Sequence, residues 1–355
     1  MRIVVRGTNW IGDAVMTVPA LRELRRIFPD SKIVLHTRSW AERVFRDASF
    51  IDEILTFDST ESTLKDVLEQ ARVLREKQFD LAILFPNSFA SALTTRFGGI
   101  PHRFGYSREG RRIFLTHPVK IPEWKAKRHE VYYYLNLIAA AEEEFLGTRT
   151  ALASEPDSTL EVSQDRRARA LQILKESGAD LSRKTVAIGA GSTNSRAKRW
   201  LPERFAELND RLQRELGANV ILLGSADEEK ISNKVMEKSV FKPIRLTGKT
   251  DLDDAVSILA EVDLLISNDM GLAHIAPATG TDTIVIFGPT NPETTRPFSP
   301  HAEIIRKGVE CSPCMLRDCP IDHRCMTWIT TDEVFKAASA KLSGLVTAKA
   351  QADHR

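Results

Sequence analysis

Outside residues 311–325 this chain of 355 residues contains no cysteine, and the four it has all fall inside that window. That distribution excludes a disulfide framework spread over a secreted fold. Long apolar runs are also missing: stretches such as VDLLIS fall far short of the roughly 20 residues that a spanning helix needs. Neither charge sign dominates. A net charge of +2 fits neither an acidic tail nor a polycation, and no helix-turn-helix, RNA-binding or finger signature is present. No signal or transit pattern follows MRIVVRG, where Arg2 and Arg6 interrupt the apolar run. The expectation is a cytoplasmic protein with no transmembrane segment and no nucleic-acid partner.

Two phosphate motifs start and fail. RGTNWIGDAV carries Gly7 and Gly12 at the spacing of a phosphate-binding loop, but Asp13 and Ala14 stand where Lys and Ser or Thr belong. GAGSTN begins a dinucleotide fingerprint at Gly189 and Gly191 and then has Asn194 in place of the third glycine.

What is present is alternation. MRIVVRG, SKIVLHT, LAILFPN, KTVAIGAG, NVILLGSA, VDLLISND and TIVIFGPT read as short, continuous, β-branched strands of the kind buried on both faces of a parallel sheet. Amphipathic segments such as VPALRELRRIF and LPERFAELNDRLQREL separate them. Strand and helix in repetition specify an open α/β fold. The pattern restarts near residue 184 after a polar stretch containing Pro156. The division is therefore placed as a first domain of residues 1–170, a second of 171–330 that includes the cysteines, and a C-terminal helix and tail of 331–355. The helix is DEVFKAASAKLSGLV, and AKAQADHR is expected to be loose. Two such domains place a cleft between them, faced by the carboxyl ends of both sheets.

Asp13 follows the first strand. It reads either as a first-turn carboxylate beside a helix dipole or as a general base, with burial by Trp10 and Ile11 raising its basicity. Pro19 places the proper start of the helix near Thr17. In GAGSTNSRAKRW, the hydroxyl of Thr193 and the point charge of Lys198 suit a diphosphate, and the alternative is a solvated loop. Glu228 and Glu229 open the next helix, either as capping acids or as acceptors for ribose hydroxyls. In SNDMGLAHIAPATG, Gly271 begins a helix whose free N–H groups form an anion site. Asp269 there is suited to a sugar hydroxyl, and His274 either reaches the same ligand or is a core histidine. DLDD at 251–254 has a metal-binding form but reads more simply as an N-cap. Cys311, Cys314, Cys319 and Cys325 are spaced C-x2-C-x4-C-x5-C. They form either a reduced, metal-free cluster or a structural zinc site. Residues 96–128 hold nine basic residues against two acidic ones, Arg103 among them. That is either a solvated face or a site for an acceptor with phosphates or carboxylates at an anionic membrane surface.

Five elements in this order resemble the lipopolysaccharide heptosyltransferases of glycosyltransferase family 9: Gly-Asp after the first strand, PNSF with G-I-P-x-R at 86–103, AKRW at 197–200, G-S-x-D-E at 224–228 and N-D-x-G-L-x-H at 268–274. The likeness spans about residues 1–330 and is greatest to the heptosyltransferase II branch. The resemblance implies a GT-B fold, two Rossmann-like domains with parallel sheets facing a central cleft. It implies an inverting transfer of L-glycero-D-manno-heptose from ADP-heptose, with no cofactor required for catalysis. The acceptor would be the first heptose of a lipid A-Kdo inner core at the cytoplasmic face of the inner membrane, where the enzyme would be peripheral. Carried over by residue, Asp13 is the base, Lys198 and Thr193 meet the leaving diphosphate, Glu228 or Glu229 binds ribose, and Asp269, Gly271 and His274 surround the sugar and phosphates. Arg103 falls in the matched G-I-P-x-R and is taken as substrate-binding. The competing reading is an NAD-dependent oxidoreductase or epimerase acting on a nucleotide sugar.

Overall fold

The computed structural model describes residues 1–58 and 63–352, so 353–355, the last of the AKAQADHR tail, lie outside the described residues. The chain divides into two compact units, Met1–Leu160 and Glu161–Arg355. The first unit holds β1 (Arg2–Arg6), β2 (Lys32–Arg38), β3 (Glu53–Phe57), β4 (Leu81–Leu84), β5 (His102–Tyr106) and β6 (His117–Val119). The second holds β7 (Thr185–Gly189), β8 (Asn219–Leu222), β9 (Ile244–Arg245), β10 (Leu264–Asn268), β11 (Thr283–Phe287) and β12 (Ala302–Arg306).

All pairings are parallel. The order in the first sheet is β3-β2-β1-β4-β5-β6, and in the second β12-β11-β10-β7-β8-β9. Read in its own chain order, each sheet is the doubly wound 3-2-1-4-5-6 arrangement, which opens a ligand crevice where the order reverses. Those points lie between β1 and β4 in the first unit and between β7 and β10 in the second. This is the α/β, GT-B class, with two Rossmann-like parallel sheets.

Burial follows the strand pattern. Every residue of β4, β7, β10 and β11 is buried, as helices on both faces require. In the second unit Val186, Ile188, Leu222, Ile266 and Ile286 pack with Trp200 and Phe205 from beside and within the helix Pro202–Leu216. Val334, Phe335 and Ala338 of the C-terminal helix Thr331–Ala352 join that core. Each such side chain removed from water contributes roughly 1.5–3 kcal/mol.

One helix starts earlier than its proline suggests. A short helix, Ile11–Met16, precedes Val18–Ile27. Thr17 closes the first turn through its N–H to the Asp13 and Ala14 carbonyls and its hydroxyl to Ala14 O at 2.6 Å. Pro19, which lacks a donor, then sits in the first turn of the second helix. At DLDD, Asp251 caps the helix Leu252–Leu259 by accepting from Asp254 N at 2.9 Å.

Candidate functional site

In the second unit the loop after β7 is tied to the end of β10 by one side chain. Asn268 Nδ2 donates to the carbonyls of Ala190 (2.8 Å) and Gly191 (3.0 Å), and its Oδ1 accepts from Trp200 N at 2.9 Å. Both ends of residues 190–200 are thereby fixed at the crevice. Trp200 is fully buried and donates its indole N–H to Ile329 O at 3.0 Å.

Three sequence-flagged groups, Lys198, Asp269 and His274, meet there with Thr290. Lys198 Nζ lies 2.7 Å from Asp269 Oδ2. Thr290 donates its hydroxyl to the same oxygen at 2.7 Å. His274 Nε2 stands 4.0 Å from Asp269 Oδ1. Asp269 and His274 are buried, while the Lys198 side chain keeps 26% of its surface open. Burial drives the His274 pKa down to about 4, with Asp269 opposing the shift and Lys198 adding to it, so the ring is neutral at pH 7 and its approach to Asp269 is not an ion pair. The helix Gly271–Ala278 begins beside them without a side-chain cap, leaving first-turn N–H groups for an anion.

Glu228 occupies a pocket floored by backbone. Its Oε2 accepts from Ser225 N at 3.0 Å, while Oε1 has no partner among the described residues. Burial holds its pKa above the usual carboxylate range. A buried carboxyl oxygen with an unused lone pair is suited to a hydroxyl donor. Glu229, half-buried in the first turn of the next helix, lies against Gly248. Thr193 lines a neighbouring cavity of about 450 Å³ with Arg196, Arg199, Asp227 and Lys230.

In the first unit Asp13 is the third residue of its helix and is partly exposed. It follows β1, at the point where the strand order reverses. Tyr134, fully buried, has its hydroxyl pKa raised by burial first and then by the negative charge of Asp13, which places that carboxylate near it. Trp10, expected to bury it, is itself 55% exposed at the N-cap of that helix.

Arg103 stands apart from these groups. It is the second residue of β5 and is buried, and its guanidinium donates to the carbonyls of Phe114 (2.7 Å), Ile100 and Pro101. Arg111 is likewise fully buried, donating to Tyr106 O at 2.9 Å and to Pro86 O, and burial lowers its pKa to about 10. Two of the nine basic residues thus knit loops together and do not face solvent.

Of the two readings of the cysteine cluster, the zinc site finds no support. Among the described residues no three His, Cys, Asp or Glu side chains are grouped to hold a metal ion. Cys311 and Cys314 are exposed, whereas Cys325 is buried, and burial, with the neighbouring thiols, pushes its pKa up to about 11.

Residues 67–324 match glycosyltransferase family 9 (heptosyltransferase). Over 317 residues the chain is 30% identical to lipopolysaccharide heptosyltransferase 2 of Escherichia coli strain K12, covering 86% of this chain and 88% of that protein. The solved E. coli ADP-heptose lps heptosyltransferase II superimposes with a TM-score of 0.82 at 27% identity, covering 97% of this chain and 99% of that one. A glycosyl transferase family 9 structure from Veillonella parvula DSM 2008 gives 0.85 at 25% identity, covering 97% of each chain. These matches leave the oxidoreductase or epimerase alternative without support, in line with the missing third glycine at Asn194. No described helix is long and apolar enough to cross a membrane. The chain belongs to glycosyltransferase family 9 and is a heptosyltransferase.

Proposed function

We propose that the enzyme moves L-glycero-D-manno-heptose from ADP-heptose to the first heptose of a lipid A-Kdo inner core. The observation that carries this reading is the Lys198–Asp269 pair at 2.7 Å, set at the crevice of the second sheet beside an uncapped helix. An acceptor hydroxyl attacks the anomeric carbon as the bond to the β-phosphate oxygen breaks. Asp13 takes the hydroxyl proton. Negative charge collects on the departing diphosphate, where Lys198, the Thr193 hydroxyl and the N–H groups from Gly271 onward meet it. Preorganised charge of this kind usually supplies the largest share of the rate. Asp269 holds Lys198 in place and accepts a sugar hydroxyl, His274 supports Asp269, and Glu228 accepts from ribose.

The acceptor reading rests on the first unit. Parallel strands β1, β4, β5 and β6 are consecutive in the sheet and end at one edge. Beyond their ends Trp10, Phe89, Ile113 and Ile121 are exposed, together with Arg108, Arg112 and Lys120. An edge that is both apolar and cationic fits a glycolipid with anionic groups presented at the cytoplasmic face of a membrane, where the enzyme would be peripheral.

The test is incubation with ADP-heptose and truncated lipopolysaccharide acceptors of defined core length, read by product mass. Asp13→Asn should abolish transfer and keep ADP affinity. Turnover that survives in this variant would remove the base assignment.

A further inference from the structure

The segment that carries the cysteines also grips the loop that carries Lys198. Ala197, the residue before Lys198, is held from both sides of its backbone: its N–H donates to Arg317 O at 2.9 Å, and its carbonyl accepts from His323 Nε2 at 2.6 Å. The same segment grips the loop that carries Thr290. Cys314 N and Met315 N donate to Pro289 O at 3.0 and 2.8 Å, and Ser312 Oγ donates to Gly288 O at 2.7 Å. Lys198 and Thr290 then converge on one oxygen of Asp269.

His323 is in an unusual backbone state for this task. Its φ is +58°, the left-handed region that side chains with a β-carbon rarely adopt. Glycine would be the comfortable residue there. The strained position is kept by a residue whose ring donates to Ala197, and strain of this kind persists where the surroundings over-determine it.

We propose that His323 is a positioning residue for Lys198, acting through the Ala197 carbonyl and touching no substrate itself. This rests on the assignment of Lys198 to the leaving diphosphate. Arg196 also pairs with Asp318, but the ring N–H makes the bond nearest Lys198 on the carbonyl side of Ala197, and without it the ammonium is no longer held where charge develops. The loss falls on the transition state more than on donor binding, because a fraction of an ångström matters most there.

His323→Gly separates positioning from folding, since glycine relieves the backbone at φ +58°. Its Tm should match or exceed that of the parent protein, while kcat falls roughly tenfold and KM for ADP-heptose changes by less than about twofold. His323→Gln, which restores an N–H donor of similar reach, should recover most of the kcat. In a Lys198→Ala background, His323→Gly should slow the reaction no further. Effects that multiply in the double variant, or a change confined to KM, would overturn the proposal. A readout independent of turnover is the NMR resonance of 13C-methylated Lys198, assigned by its loss in Lys198→Arg. It should shift in His323→Gly and return in His323→Gln; an unmoved resonance overturns the brace, whereas variants that move the resonance as described from a parent enzyme that ignores ADP-heptose overturn the function.

Discussion

A β-carbon built on Gly191 would lie 2.0 Å from Oε1 of Glu228. The glycine after β7 therefore leaves room for the carboxylate that follows β8, and a side chain at that position cannot coexist with Glu228 in its place. Gly224 does the same from the other side, at 2.7 Å from Oε2. The two glycines and the acid form one unit spread over two neighbouring strands.

Gly191→Ala is expected to displace Glu228 and weaken ADP binding by about tenfold or more, which corresponds to about 1.4 kcal/mol. Calorimetric titration with ADP is the measurement. Unchanged affinity would show that Glu228 does not meet the nucleotide.

Glu228→Gln should separate stability from function. Burial raises the folded pKa of Glu228 above the ordinary 4.5. Folding thus favours the protonated acid, and the stability this gives is present below about pH 4.5 and lost as pH rises through the raised value. At neutral pH the ionised side chain is a cost, so the amide variant should melt higher at pH 7–8 while binding ADP less well. A lower Tm at pH 7–8 would show that the carboxylate is compensated by groups the structure does not pair with it.

His274 titrates in the opposite sense. Its folded pKa, about 4 against 6.5, means that the unfolded chain takes up a proton first as pH falls. Stability is full above pH 6.5 and declines between pH 6.5 and 4, by at most roughly 3 kcal/mol. His274→Gln should flatten that part of the Tm–pH curve, and an equally steep curve would assign the acid sensitivity elsewhere.

The seven strands legible in the sequence, β1, β2, β4, β7, β8, β10 and β11, are runs of β-branched and aliphatic residues buried on both faces. The other five escape the same reading for a physical reason. β3, β6, β9 and β12 lie at or toward the margins of their sheets and stay partly exposed, so EILTF, HPV, IR and AEIIR need not be uniformly apolar. β5, HRFGY, is buried but spends Arg103 on nearby carbonyls, which hides it among basic residues.

The candidate site was legible where its residues sit close to a recognisable strand end. Asp13, Lys198, Glu228 and Asp269 each follow a strand that could be recognised, and a loop after such a strand lies at the carboxyl edge of the sheet. The contacts of Ala197 with Arg317 and His323 join residues 120 or more positions apart, and no spacing in the chain announces them. Asn268 shows a middle case. Its place in a turn was visible, but its three bonds to the loop after β7 depend on β7 and β10 being neighbours.

The repetition of one strand order in both sheets bears on how such an enzyme diversifies. Each half closes its own apolar cluster, around Val4, Val34 and Leu84 in one and around Val186, Trp200 and Ile266 in the other. The residues of each cluster come from one half alone. On the proposed assignment of the acceptor to the first half and the nucleotide to the second, a lineage can exchange the recipient sugar by remodelling the first half, with a folding cost confined to the half that changes.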